Sequence, residues 1–69
     1  MTSQNLSSID RIRRIVQRGQ YDHVDGTFVD LFTASVIMKI YDALNEENRR
    51  KFATLPVRKM ASIALKLIR

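Results

Sequence analysis

The sequence predicts an all-α fold: a small four-helix domain whose central, nearly all-round hydrophobic helix, about residues 28–44, is packed by helices over about 8–18, 46–54 and 56–68. Three observations lead there. First, FVDLFTASVIMKIYDAL scatters its charges: at ~100° per residue, with Asp30 at zero, Asp42 falls near ~120° and Lys39 near ~180°. A surface helix gathers its charges on one side, whereas one apolar nearly all round is wrapped by neighbours. Second, the flanking stretches repeat apolar residues with helical period. Third, 45% of the residues are hydrophobic, with two glycines and one proline, which is a folded composition.

Taken in order, residues 1–6 read as a frayed tail. Ser7 or Ser8 caps the first helix, with Asp10 in its first turn, where the helix dipole favours an anion. Ile9, Ile12, Ile15 and Val16 share one arc, the arginines occupy the rest, and Gly19 suits a left-handed C-terminal cap. Residues 20–26, QYDHVDG, read as a linker of turn formers. Asp25 or Thr27 then caps the central helix, Thr27 with Asp30 resembling a capping box. Val29, Val36, Ile37, Ile40 and Leu44 form one stripe on that helix; Phe28, Leu31, Phe32 and Ser35 form a second. Two stripes imply two sets of neighbours. Asn45 closes the central helix and caps the next, where Glu46 and Glu47 precede Arg49, Arg50 and Lys51 as the dipole prefers. Phe52 and Leu55 are its anchors. Pro56 opens the last helix, in which Met60, Ala61, Ile63, Ala64, Leu67 and Ile68 cover the apolar arc. Arg58, Lys59, Ser62, Lys66 and Arg69 form a polar strip, with Leu65 at its edge.

Sixty-nine residues make one domain, near the size at which a single core barely suffices, and with no cysteine there is no disulfide or thiolate metal site to assist it. No signal peptide is visible, and residues 28–44 are too short and too charged to span a bilayer, so the expected setting is cytoplasmic. The net charge of +5 is unevenly spread: residues 1–20 sum to +3, 21–47 to −5 and 48–69 to +7. One reading is a polyanion-binding surface. The preferred one is that basic ends and acidic middle neutralise each other in the fold.

Little in the sequence carries chemistry. His23, the single histidine, forms a D-H-x-D cluster with Asp22 and Asp25, but no further ligand stands at a familiar metal spacing. No nucleophile elbow and no phosphate-cradling glycine loop is present. The expectation is therefore a protein that is not an enzyme and takes no cofactor, metal or small molecule. Two basic features are candidate phosphate contacts: Arg11, Arg13, Arg14 and Arg18 on the first helix, and residues 45–69, which invite comparison with a helix-turn-helix. Against the latter, the last helix presents mostly apolar side chains and no Asn or Gln to read base edges. Its strip of Arg58, Lys59 and Lys66 lacks the apolar company that membrane binding requires, apart from Leu65. Protein–protein interaction remains. Tyr21, Phe28, Phe32 and Leu65 are the candidate anchors, because aromatics dominate interface energetics, although core burial is the more ordinary fate of the two phenylalanines.

GTFVDLFTAS, YDALNEENRRKF and LPVRKMASIALKLI resemble, across residues 26–68, a family of short, uncharacterised accessory proteins encoded by tailed bacteriophages. The family has no established activity, so the resemblance transfers no residue role. It implies an accessory factor that binds and modulates a host protein in the host cytoplasm. The expectation is thus a non-enzymatic binding protein with a host protein, or a second copy of itself, as partner. Alternatives are a basic nucleic-acid-binding module acting through the arginine-rich first helix and a self-assembling structural protein.

Overall fold

The computed structural model describes residues 7–67, and it is mostly helical: α1 (Ser8–Arg18), β1 (Asp22–Val24), β2 (Thr27–Val29), α2 (Leu31–Ala43), α3 (Glu46–Ala53) and α4 (Val57–Leu67). The expected tail at residues 1–6 and the end of the last helix at Ile68 lie outside the described residues.

α1 is as its sequence dictates. The Ser7 hydroxyl accepts the Asp10 N–H at 3.1 Å, and Gly19, at φ 70°, closes the helix by donating its N–H to the Ile15 carbonyl at 2.9 Å. Ile9, Ile12 and Ile15 are buried, while Val16 lies at the edge of the arc and is 37% exposed.

The expected linker is a β-hairpin. β1 and β2 pair antiparallel, Asp22 opposite Val29, His23 opposite Phe28 and Val24 opposite Thr27. Asp25 and Gly26 form the two-residue turn with φ of 51° and 78°. Asp-Gly is the preferred dipeptide where both central residues must be left-handed, and Thr-Phe-Val after it favours strand. This corrects the start of the central helix. Thr27, Phe28 and Val29 are strand, and the cap is neither Asp25 nor Thr27 but Asp30, whose carboxylate accepts the Thr33 N–H at 2.7 Å. The Asp30 carboxyl is held below the usual carboxylate range, first by a hydrogen bond with the Thr33 side chain and then by that backbone N–H.

The change of element redistributes the apolar stripes. Along a strand the side chains alternate, so Val29 is fully buried and its neighbour Phe28 is 54% exposed. The second stripe does not meet a second set of neighbours: Leu31 and Phe32, at the start of α2, are 41% and 58% exposed. α2 buries one side, Ala34, Ile37 and Met38, and half-buries Val36, Ile40 and Tyr41. α1 and α4 both pack against it. α1 is set beside Tyr41 and Asp42, with Arg13 reaching both, and α4 brings Leu67 beside Val36 and Ile40. The helix is flanked on two sides and bare on a third, not wrapped all round.

Leu44 is extended and Asn45 accepts the Asn48 N–H at 2.8 Å, so α3 starts where expected. Phe52 from α3 and Val57, Met60 and Ala64 from α4 complete the core, while Leu55 is half-buried. Leu67, expected inside, is 65% exposed, and Leu65 is 44% exposed. Ala34 and Ala64 are fully buried; with side chains that small, α2 and α4 can approach closely. No helix among the described residues is long and apolar enough to cross a membrane.

Three measurements check these assignments. Asp30→Ala should destabilise the fold by about 1 kcal/mol through loss of the cap, with Thr27→Ala costing clearly less in the same denaturant titrations. Because its folded pKa is depressed, the Asp30 contribution is complete above the ordinary Asp value of about 3.9 and fades as pH falls through the folded one; Asp30→Asn keeps a cap and removes that part of the acid dependence. Among the described residues, none beyond Gly26 and its chain neighbours lies within 4 Å of a Cβ placed there, so Gly26→Ala should cost about 1 kcal/mol from left-handed backbone strain alone.

Candidate functional site

The four arginines of α1 divide into two pairs. Arg11 lies across the hairpin: Nη1 is 3.4 Å from Asp25 Oδ1, and Nη2 donates to the His23 carbonyl at 3.3 Å. The Ser8 hydroxyl donates to the other Asp25 oxygen. Arg13 turns toward α2, with Nη1 4.0 Å from Asp42 Oδ1 and the guanidinium 6.0 Å from the Tyr41 ring centroid. Exposed ion pairs of this kind contribute on the order of 0.2–1 kcal/mol each. Basic first segment and acidic middle thus neutralise each other at these two positions. Arg14 and Arg18 are exposed, make no ion pair among the described residues, and stand one turn apart on the same side of α1.

Between α1 and the hairpin lies an open groove of about 260 Å³, walled by Arg14, Ile15 and Arg18 on the helix and by Gln20, Tyr21 and Asp22 beyond it. Arg11 also lines it. Asp22, at the lip, is partly occupied: its carboxylate accepts the His23 N–H at 2.7 Å. Tyr21 is 66% exposed, with its ring centroid 5.1 Å from that of Phe28; the His23 ring meets Phe28 edge-on at 5.5 Å. Gln20 and Tyr21 also line a second hollow with Gly19, Asp30 and Leu31. The result is a surface that runs from the Arg14 and Arg18 guanidiniums across an aromatic cluster to an exposed leucine.

A different trough follows the bare side of α2, lined by Phe32, Val36, Ile40, Ala43 and Leu67 with Lys39 at its rim. The basic strip of α4 is separate again: Arg58 and Lys59 border a shallow hollow with Pro56 and Ser62, and Lys66 is exposed in the last turn. The groove beside α1 is half-enclosed, and the other hollows open more broadly to solvent. The D-H-x-D residues are dispersed into other tasks: Asp22 bonds the His23 backbone, Asp25 holds Ser8 and Arg11, and His23 packs on Phe28.

Of the eleven residues singled out from sequence, the fold gathers Arg14, Arg18, Tyr21 and Phe28 on one surface. It gives Arg11 and Arg13 structural partners, and leaves Phe32, Leu65, Arg58, Lys59 and Lys66 exposed elsewhere. Sequence reasoning missed Leu31 and His23 as members of that surface; the Asp-Gly turn was the signal that would have placed them. It also missed Arg49, whose Nε and Nη2 donate to the carbonyls of Tyr41 and Asp42 at 3.1 and 2.8 Å while the guanidinium lies 5.6 Å from the Tyr41 ring centroid. That guanidinium satisfies carbonyls in the last turn of α2.

Compared with known proteins, the chain matches no family model, no curated protein and no solved structure.

If the exposed rings are surface and not core, their removal is cheap. Phe32→Ser should change stability by no more than about 0.5 kcal/mol, whereas Ile37→Ala, at a fully buried site, should cost about 2–4 kcal/mol. Chemical denaturation of the two variants side by side measures this difference.

Proposed function

We propose that this chain is a small, non-enzymatic binding domain that engages a protein partner through the surface of Tyr21, Phe28 and Leu31. The observation that carries the reading is the exposure of these side chains, 66%, 54% and 41%, with Tyr21 and Phe28 clustered on the outer face of the hairpin. Scattered exposed leucines are ordinary; aromatics clustered beside arginines have the composition of a binding hot spot. The resemblance to tailed-phage accessory proteins supports a host protein as the partner and the host cytoplasm as the place. The non-enzymatic part of the reading rests on the sequence, with one histidine and no cysteine.

A nucleic-acid reading draws on Arg14 and Arg18 standing free next to Tyr21, since guanidiniums bind phosphate and rings stack on bases. It is the weaker of the two. Proteins that make six to ten phosphate contacts lose affinity steeply with salt, and here two of the four α1 arginines are already paired with Asp25 and Asp42. The α4 cations border a different hollow, so they do not extend a track from α1.

Affinity capture from a nuclease-treated bacterial lysate, with the intact chain and with Tyr21→Ser/Phe28→Ser as paired baits, tests the proposal. A stoichiometric protein held by the intact chain and lost by the variant is expected, with the variant shown by circular dichroism to remain folded. Capture that disappears with nuclease would replace the proposal by the nucleic-acid reading. A bait that retains only further copies of itself would replace it by self-assembly.

A further inference from the structure

Resting on the protein-binding reading, the geometry points to one class of partner: we infer that the groove between α1 and the hairpin receives an acidic, extended segment of a protein, with a carboxylate at Arg14 and Arg18 and an apolar side chain two residues along against Tyr21 and Leu31. Charge complementarity selects the first half of that pattern. Arg14 and Arg18 present two guanidiniums with no acidic partner among the described residues, and planar guanidinium forks match carboxylates bidentately. Asp22 offsets part of that charge at the lip, and its carboxylate is turned to the His23 N–H. Arg11 does not compete for the ligand, because Asp25 and the His23 carbonyl hold it.

The second half follows from the shared wall. Tyr21 and Gln20 line both the arginine groove and the Leu31 hollow, so the two subsites adjoin at these residues. In an extended chain, side chains two residues apart point to the same side at a spacing of about 6.6–6.8 Å, which bridges such a wall. A groove of about 260 Å³ has room for a side chain and its flanking backbone. The segment crosses the surface and does not add to the sheet as a third strand. The outer edge of β1 is only three residues long, and its His23 carbonyl is taken by Arg11. A carboxylate is favoured over a phosphate backbone because two cations on one helix form a point of attachment and not a track.

Selection of a random peptide library displayed on yeast, against the full chain and against Arg14→Gln/Arg18→Gln, tests this. The expected result is enrichment of peptides with Asp or Glu two positions from Leu, Ile, Phe or Trp. Synthetic versions should shift the amide resonances of Arg14, Arg18, Tyr21 and Leu31, and should bind about tenfold more weakly to the arginine variant or at high salt. Peptides that compete at Tyr21 but carry no acidic residue, and bind the variant equally well, would overturn this inference while leaving the protein-binding reading intact. Failure to enrich any peptide, combined with an empty lysate capture, would overturn both. Tighter binding of oligothymidylate than of every selected peptide at the same amides would overturn the inference in favour of nucleic acid.

Discussion

The left-handed turn at Asp25 and Gly26 is the constraint on which most of this structure depends. Two successive residues at positive φ reverse the chain within a single dipeptide and commit Thr27–Val29 to an extended conformation. Strand alternation then sends Val24 and Val29 inward and Phe28 outward. The strand stops before Asp30, whose carboxylate satisfies one of the free N–H groups of the helix start. The direction of α2, the closure of the core beneath the hairpin and the exposure of the aromatic cluster all follow from those few dihedral angles. Arg11 reinforces the arrangement by bonding both the turn carboxylate and a strand carbonyl.

Around that corner the helices pack by size and charge. Ala34 and Ala64 leave room for α2 and α4 to meet, and the isoleucines of α1 fill the other flank. Tyr41 lies against two guanidiniums, Arg13 from α1 and Arg49 from α3, with Arg49 also bonding the last-turn carbonyls of α2. Much of the positive charge is therefore spent on holding elements together, which narrows the cations left for a partner.

A chain this short cannot bury all of its apolar surface, and the location of the remainder is informative. Val16, Leu65 and Leu67 sit near helix edges or ends, where exposure is commonplace. Tyr21 and Phe28 instead lie on the hairpin arm, clustered with His23 and bordered by Arg14, Arg18 and Leu31. The proposed recognition of an extended, acidic and partly apolar segment rests on that grouping of two guanidiniums, two aromatic rings and a leucine.

The sequence by itself determined α1 within a residue, the start of α3 at Asn45, the break at Pro56 and, on α4, the burial of Met60 and Ala64 but not the exposure of Leu67, because each of these successes rests on a local signal: a cap, a breaker or a clean 3.6-residue period. It also singled out Arg14, Arg18, Tyr21 and Phe28, which the fold leaves exposed. It did not determine the element holding Phe28 and Val29. Those residues fit a helical stripe and a strand equally well over three positions, and pairing with Asp22–Val24 decided between them. The all-round apolar character of α2 was legible too, but whether each side would be covered depended on how many neighbours the rest of the chain could supply. Two helices flank it, and the third side stays open. The division of the α1 arginines into paired and free was likewise decided in three dimensions, since Asp25 and Asp42 come within reach of Arg11 and Arg13 only once the hairpin and α2 are folded against α1.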